Sequence, residues 1–565
     1  RTFNGVVAAE TSTTDVTDLL ESGAIRRNQM NLEFEPAMAE RYEVSDDEMS
    51  ITVYLQRDLQ FSDGEPITAQ DFVFTMNHLI LREDIGSNSR SGYFIAPAPG
   101  EPQEPALIEL IDDYTYRLTL PTVYAGLVSL AGIVPYPQHI FADVIGWDES
   151  VGYEYEWEFT TDEDGNRVVS EIKPEGVDYA AVTSFWGVDT DVTEVVSSGP
   201  FVIEDYAPGE RIVLGPNPNY WETDEWGTQL PYLDEVVMRI IPDQDTQLQA
   251  FLAGEIDTLG MRGEDYAVLV GQKEELGFEI YNAGPVSSTQ FITFNQNPIE
   301  GPDDGGIEPP ALTWLSNKTF RHAMAHLVDR ETIINNIAFG LGYPQYAFVP
   351  RQSPYFFEGA EDIAFKYDPV RAAELLDSID YIDRDGDGFR EDPDGNKISL
   401  NLSTNSGARV RESIGELFAQ EAANVGIEVN FTPKDFNALV GQLVSTFDWE
   451  MILIGLTGSV DPISGANVYP SSGNLHMIEP NQTSPRREWE QEVDDLWIYA
   501  NNTTDEAQRK DGYEQIQRIW IEEVPWVFTF NPLALSAVKV EFGNIIVHPF
   551  DGLDWKGAIH RKYVR

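Results

Sequence analysis

Strand-like and helical segments alternate along this 565-residue chain, and this alternation constrains the possible fold more than any other feature. Residues 230–259 indicate a strand, a helix that stops at Gly254, and a second short strand. Residues 398–404 and 427–433 indicate strands on either side of a helix, and residues 450–456 indicate a buried strand. Helices that cross between strands are typical of α/β folds. The sequence therefore predicts an α/β fold.

Helix starts are marked clearly at two places. Residues 55–74 combine an extended run, a tight turn and a helix that begins at Thr68. Asp71 stands three residues after Thr68, in the position of a capping box. Asp329 is placed to cap the second helix of a predicted helical pair at 317–340.

The length of the chain predicts two or three domains, since single hydrophobic cores stop growing at about 250–300 residues. Asp164-Gly165 is a favourable hairpin turn between two strands, and this hairpin indicates an insertion within the first part of the chain.

The formal net charge of −60 arises from 96 acidic and 36 basic residues. Nucleic acid is therefore not expected as a partner, because phosphate binding requires a basic surface. No apolar run approaches the roughly 20 residues that a membrane-spanning helix needs, so no direct membrane insertion of this chain is expected. A solvated acidic surface from a salt-rich environment is the favoured interpretation of the charge.

The chain contains no cysteine, which excludes disulfides, thiolate nucleophiles and cysteine-type zinc sites. It begins at Arg1 without a charged and apolar leader, so no signal peptide is recognised. A start at arginine indicates that upstream sequence was removed, together with any export signal or lipid anchor.

Signatures of catalysis are scarce. The sequence has no phosphate-binding loop, no H-E-x-x-H, no G-x-S-x-G and no dinucleotide fingerprint. His322 and His326 have the helical i, i+4 spacing of a metal pair, but core or surface histidines are the favoured interpretation. The sequence therefore predicts a protein that is not an enzyme.

An acidic segment at 383–394 has the spacing of a calcium loop. Counted from its first aspartate, carboxylates stand at positions 1, 3, 5, 9 and 12 and a glycine at position 6, as in an EF-hand loop. Position 12 is aspartate rather than glutamate, which weakens bidentate binding. No cofactor is required, and a structural Ca²⁺ is the one metal suggested. Its predicted ligands are Asp383, Asp385, Asp387, the carbonyl of Phe389, Glu391 and Asp394. The alternative is an acidic, glycine-rich turn.

Several segments, in order along nearly the whole chain, resemble the family 5 solute-binding proteins, the peptide-capturing receptors of ABC importers. The matching segments are FSDGEPITAQDF, SGPFVI, NPNYW, LPYLDEVVMRII, LAGEID, FRHAMAHLVDRETI and VPWVFTF. The resemblance implies two hinged α/β lobes with an extra domain and a ligand cleft between them. Lobe I would comprise 1–15, 196–290 and 526–565, with the additional domain at 16–195, and lobe II would comprise 291–525.

The resemblance also implies where a ligand would bind. In peptide-binding members, the segment equivalent to 455–465 lines the cleft and carries an aspartate that captures the peptide amine. With Asp461-Pro462 aligned, that place falls on Gly458, which argues against amine-anchored capture of short peptides. Another acid, a longer peptide or a neutral oligosaccharide remain as alternatives. The candidate ligand-binding residues are Thr11, Ser12, Tyr93, Phe94, Phe436, Gly455, Leu456, Thr457, Gly458, Ser459, Asp461, Asn467, Asn474 and His476.

The resemblance predicts a monomeric receptor at the periplasmic or extracellular face of the membrane, which delivers a solute to an ABC permease. An oligopeptide is the first expectation for that solute and an oligosaccharide the second. A carbohydrate-active hydrolase and a sensory receptor on the same fold are the competing hypotheses.

Overall fold

The computed structural model describes residues 2–8, 10–28, 30–153, 157–161, 167–299, 305–480, 482, 484–548, 552–553 and 559–564. This part of the chain contains four sheets of three or more strands, short two-stranded pairs and many helices. The mixture of sheets and covering helices confirms the predicted α/β class.

The first large sheet has four antiparallel strands. Along Ser50–Leu55, buried and half-buried residues alternate because successive side chains point to opposite faces of a strand. The helix Ala69–Phe74 packs on this sheet and begins at a capping box formed by Thr68 and Asp71, as predicted. The strands, in sheet order, are Ala39–Val44, Ser50–Leu55, Thr115–Thr119 and Leu107–Asp112.

The predicted hairpin is present as the antiparallel strands Trp157–Thr161 and Arg167–Glu171. Its turn at Asp164-Gly165 lies outside the described residues. An ion pair between Arg82 and Glu171, 3.1 Å apart and almost fully buried, fastens the hairpin to the helical segment that follows the capping box.

Two further sheets carry the segments between residues 201 and 285. The predicted elements of residues 230–259 form, but the two strands lie in different sheets, so no crossover unit results. Periodicity identifies strands but not their partners, and Thr258–Gly260 pairs with a strand near the end of the chain. The three-stranded sheet consists of Phe201–Ala207, Arg211–Pro216 and Val236–Arg239. The four-stranded sheet consists of Thr258–Gly260, Phe530–Lys539, Phe278–Pro285 and Gly342–Pro344.

The last of the four large sheets has five strands and a hydrophobic core on each of its faces. A true parallel crossover lies here, because the helix Arg409–Asn424 joins the parallel strands Ser399–Asn405 and Glu428–Lys434. The strand order is Glu428–Lys434, Ser399–Asn405, Met451–Leu456, Thr289–Phe294 and Trp526–Phe528.

Two short, direct chain crossings connect the five-stranded sheet to the four-stranded sheet that contains Phe530–Lys539. Residues 286–288 join Phe278–Pro285 to Thr289–Phe294, and Thr529 joins Trp526–Phe528 to Phe530–Lys539. The first crossing is bonded to the strand that follows the second, since the Asn531 side-chain amide donates to the carbonyls of Val286 and Ser288 at 2.9 and 3.0 Å. We call these two stretches the crossing segments.

The helices surround these sheets. Thr11–Leu20 spans the predicted domain boundary between residues 15 and 16, and its buried residues share a core with Phe201 and Leu214. Among the described residues, no helix is both long and apolar enough to cross a bilayer. The other α-helices of six or more residues are Gln138–Ile145, Gln244–Leu252, Gly263–Leu269, Ala311–Ser316, Lys318–Ala325, Pro369–Ser378, Phe436–Gly441, Glu488–Asn501 and Glu506–Glu523.

Shorter elements complete the described chain. The two-stranded pairs are Ile25–Arg27 with Phe34–Pro36, Phe94–Ile95 with Glu104–Pro105, Phe542–Gly543 with Tyr563–Val564, and Val547–His548 with Gly552–Leu553. The short α-helices are Leu127–Leu130, Lys273–Leu276, Arg330–Thr332 and Ala360–Ile363. Asp329 caps Arg330–Thr332 through the Thr332 amide, as predicted.

Candidate functional site

A cavity of about 600 Å³ lies between segments from the first 132 residues and the loop that follows the strand Met451–Leu456. This volume falls within the roughly 300–1,000 Å³ of typical small-molecule sites. The residues that line it are Ile25, Arg27, Phe34, Asn88, Ser89, Ser91, Gly92, Tyr93, Tyr124, Gly126, Ser129, Leu130, Gly132, Ser459, Asp461, Ile463, Ser464, Ala466 and Asn467. We call this space the inter-segment cavity.

The first wall is built on the strand pair Ile25–Arg27 and Phe34–Pro36. Antiparallel pairing places Arg27 directly opposite Phe34, and the guanidinium carbon lies 4.7 Å from the centre of the phenyl ring. Tyr93 closes another part of this wall, with its hydroxyl donating to the Leu130 carbonyl at 3.1 Å. The hydroxyl of Tyr93 is therefore engaged in the scaffold, and its ring forms the surface of the cavity.

The second wall is the loop around Asp461. The Asp461 carboxylate accepts a hydrogen bond from the Ile463 amide at 3.1 Å and caps a short helical turn. Both of its oxygens also accept hydrogen bonds from Nη2 of the Arg509 guanidinium, at 2.8 and 3.0 Å. Burial disfavours the charged guanidinium, but the carboxylate of Asp461 outweighs that effect and raises the pKa of Arg509. The ion pair fixes the loop to the helix Glu506–Glu523.

Direct hydrogen bonds join the two walls at the edge of the cavity. The Asn474 side-chain amide donates to the Asn88 side-chain oxygen Oδ1 at 2.9 Å, and the Asn88 Nδ2 in turn donates to the Ala8 main-chain carbonyl at 3.2 Å. Away from the lining, the Asn502 side-chain amide also joins the two parts of the chain by donating to the Ala96 main-chain carbonyl at 2.9 Å. The structure therefore holds the walls in contact with each other around the cavity.

Several polar side chains on the cavity walls are free to bind a ligand. Within the described residues, the side chains of Ser129, Ser459 and Asn467 make no hydrogen bond with another residue. The Ser91 hydroxyl is buried and has no hydrogen-bond partner among these residues. Buried polar groups are rarely left unpaired, so such atoms suit a ligand that supplies the missing partners.

Gly458 lies just outside the cavity, against the first crossing segment. A Cβ atom at this position would stand 1.9 Å from the Ser287 carbonyl oxygen, far inside contact distance. Glycine therefore allows the loop to approach the crossing segment closely. An aspartate here, as the resemblance implies for peptide-binding members, would require the backbone to move.

Four of the predicted ligand-binding residues line the cavity: Tyr93, Ser459, Asp461 and Asn467. Asn474 stands at its edge through the bond to Asn88. The structure thus brings together residues that are more than 360 positions apart in the sequence.

The structure places other predicted residues away from the cavity walls. His476 is 1% exposed, and its Nδ1 lies 3.0 Å from the Val468 carbonyl oxygen, inside the second wall. Phe94 packs edge-on against Trp157 at 5.5 Å between ring centres. The remaining predicted residues outside the lining are Thr11, Ser12, Phe436, Gly455, Leu456, Thr457 and Gly458.

The sequence-based prediction missed most of the first wall, including Arg27, Phe34, Asn88 and Tyr124. Neighbouring arginines in a strongly acidic chain were a usable signal, because Arg26-Arg27 stands out against a net charge of −60. No local pattern showed that this strand pair faces a loop more than 400 residues further along.

The acidic loop at 383–394 does gather carboxylates. One carboxylate oxygen from each of Asp383, Asp385, Asp387 and Glu391 lies within 4.8 Å of the others. Hard oxygen donors at this spacing fit a calcium ion. Asp394 is not in this group and lies exposed in a separate turn, where its amide donates to Asp392.

Comparison with known proteins identifies the family. The family model described as "Bacterial extracellular solute-binding proteins, family 5 Middle" matches residues 33–475. This match covers most of the chain, and the protein belongs to the family 5 solute-binding proteins.

Individual relatives agree with this assignment. The chain is 29% identical over 551 residues to a probable ABC transporter-binding protein of Deinococcus radiodurans, covering 93% of this chain and 84% of the relative. The structure of the oligopeptide-binding protein AppA from Bacillus subtilis with a nonapeptide has a TM-score of 0.79 at 22% identity, covering 100% of this chain and 97% of AppA. MelB of Agrobacterium fabrum with stachyose has a TM-score of 0.78 at 18% identity, covering 100% and 82%. The predicted two-lobed binding-protein fold is thereby confirmed.

Proposed function

We propose that this protein captures a solute in the inter-segment cavity and delivers it to the permease of an ABC importer. The observation that carries the proposal is a cavity of about 600 Å³ whose walls come from distant parts of the chain and present unengaged hydroxyl and amide groups. The name of the Deinococcus radiodurans relative, an ABC transporter-binding protein, supports the importer.

An oligopeptide is the first candidate for the solute and an oligosaccharide the second. The relative AppA is named for oligopeptides, and MelB was solved with stachyose. Both chemistries suit the walls, since Ser129, Ser459 and Asn467 offer hydrogen bonds, and the rings of Phe34 and Tyr93 offer apolar surface.

Capture would proceed by closure of the lobes about the crossing segments. We propose the predicted division, with lobe I at 1–15, 196–290 and 526–565, its additional domain at 16–195, and lobe II at 291–525, except that the whole helix Thr11–Leu20 stays with lobe I, whose core it shares. A ligand that contacts both walls binds the closed form better than the open form and so shifts the population toward closure. The permease would then recognise the closed form, at the periplasmic or extracellular face of the membrane, with this chain acting as a monomer without catalysis.

We also propose that the loop at 383–394 holds a structural calcium ion. The support is the cluster of four carboxylates at EF-hand positions 1, 3, 5 and 9. Glu391 is 7% exposed and would contribute a buried ligand oxygen.

Two readouts test solute capture together. Small-angle scattering should show a smaller radius of gyration when a binding peptide or oligosaccharide is added, and the melting temperature should rise. A ligand at about 100 times its Kd stabilises the folded state by about 2.7 kcal/mol. The variant Asn467→Trp, which fills the cavity, should lose both responses.

The control is Asn437→Trp, which places the same ring at an exposed position outside the cavity. It should respond to ligand as the wild type does. A wild type that neither compacts nor gains stability with any peptide or oligosaccharide tested would contradict the proposed function.

A further inference from the structure

The cavity walls carry few charged side chains, and these are of opposite sign. Among the described residues that line the cavity, Arg27 is the one basic side chain and Asp461 the one acidic side chain. Which of them is available decides the charge of the ligand group that the cavity can hold.

Asp461 is already engaged. Its carboxylate binds the Arg509 guanidinium through both oxygens, and the two side chains are 15% and 5% exposed. A ligand ammonium would have to compete with this buried pair. Gly458, the other place where an acid could stand, has no room for a side chain next to Ser287. Within the part of the chain that the structure describes, the cavity therefore offers no free carboxylate to a ligand amine.

Arg27 is in the opposite situation. No described residue forms an ion pair or a hydrogen bond with its guanidinium, which rests on the Phe34 ring. Its neighbour Arg26 shows the contrast, since it pairs with Glu35 at 2.9 Å and with Glu222 at 3.1 Å. In a chain with 96 acidic residues, a half-buried arginine on a cavity wall without an acidic partner is available for an external one.

Ser91 adds a second free donor to the same wall. Its hydroxyl is buried without a partner among the described residues and belongs to the cavity lining. A carboxylate accepts several hydrogen bonds at once, and guanidinium–carboxylate pairs can form two parallel bonds.

We propose that the cavity anchors its ligand through a carboxylate bound at Arg27, and therefore selects carboxylate-bearing solutes rather than solutes held by an amine. This inference rests on the proposed function, which it makes more specific. The carboxylate comes from one of two sources, the C-terminus of a peptide or the uronic acid group of an acidic oligosaccharide.

Isothermal titration calorimetry with two matched pairs of probes distinguishes these sources. Trialanine is compared with trialanine amide, and digalacturonate with the neutral disaccharide galactobiose. The wild type should bind at least one acidic probe about ten- to a hundredfold more tightly than its neutral partner, which corresponds to about 1.4 to 2.8 kcal/mol.

Variants assign the preference to Arg27. Arg27→Gln should remove the preference for the acidic probe, and Arg27→Lys should retain part of it because the charge remains. Arg57→Gln is the matched control, since Arg57 also rests on an aromatic ring, that of Tyr114 at 4.6 Å, but is exposed and lies outside the cavity. It should leave the preference unchanged.

The possible outcomes separate the two proposals. Equal binding of acidic and neutral probes, tighter binding of trialanine amide, or an unchanged preference in Arg27→Gln would overturn the carboxylate anchor. If the wild type binds a probe in any of these cases and Asn467→Trp abolishes that binding, the proposal of solute capture in the cavity still holds. Failure of all four probes to bind the wild type would count against both proposals.

Discussion

The ion pair between Asp461 and Arg509 should be a main support of the second cavity wall. Asp461→Asn keeps the size of the side chain and an oxygen that can still accept from the Ile463 amide. It removes the nearer and more buried of the two carboxylates beside Arg509, a residue that is only 5% exposed; the other, Glu506, is 73% exposed and lies 3.7 Å away. The substitution thus tests the buried charge almost by itself.

The expected loss follows from the burial of the pair. Removing one partner of a buried ion pair typically costs about 3–5 kcal/mol, because the remaining charge is left in a poorly solvated site. Asp461 is 15% exposed, so we expect a value near the lower limit, about 3 kcal/mol. For a folding unit of about 150–250 residues this corresponds to a fall in melting temperature of about 6–12 °C.

Urea unfolding and thermal melting of four proteins would measure this loss: wild type, Asp461→Asn, Arg509→Gln and the double variant. The double variant removes both charges, so it should be more stable than the sum of the single losses predicts. The control is Glu514→Gln, which breaks an exposed pair with Arg518 at 2.7 Å on the same helix and should cost less than about 1 kcal/mol. Equal losses for Asp461→Asn and Glu514→Gln would show that the buried ion pair contributes no more to stability than an exposed one.

Three further predictions concern other sites. Gly458→Ala should destabilise the protein by about 1–3 kcal/mol in urea unfolding, because its new Cβ meets the Ser287 carbonyl; unchanged stability would show that the loop yields easily. Burial raises the pKa of Glu21 to about 8, so the folded state keeps a proton that the unfolded state releases near pH 4.5. The stability that the protonated Glu21 contributes therefore falls as the pH rises from about 4.5 to 8. The melting temperature of Glu21→Gln should rise relative to that of the wild type over this pH range, and a difference that does not change with pH would contradict the raised pKa. Calcium should raise the melting temperature of the chelator-treated protein, and Asp385→Asn should weaken this effect whereas Asp394→Asn should leave it intact. The calcium ion is excluded if metal analysis finds no calcium in the purified protein and the chelator does not change its melting temperature.

Local elements were predictable because their causes are local. The capping box of Thr68 and Asp71 and the cap at Asp329 depend on residues three positions apart, and both form as expected. The strands of residues 230–259 also form, but their placement in different sheets depends on a partner near the end of the chain. Short-range pattern carries no information about such distant pairing.

The second wall of the site was predictable in larger part than the first, where Tyr93 was the one lining residue predicted. Ser459, Asp461 and Asn467 follow one buried strand and were found together, whereas Arg27 stands on a strand pair far away in the sequence. His476 has the chemistry of a ligand-binding residue but lies buried against Val468, which only three-dimensional packing reveals. The close approach of Gly458 to Ser287 is likewise a property of the folded chain.

Native mass spectrometry most directly tests the claim that the inter-segment cavity captures a solute. The wild type and Asn467→Trp would each be presented with an equal mixture of trialanine, trialanine amide, digalacturonate and galactobiose. One small molecule should be bound to each wild-type chain, and the Asn467→Trp chain should carry none. Equal binding by the two proteins, or no bound molecule on the wild type, would contradict solute capture in the cavity.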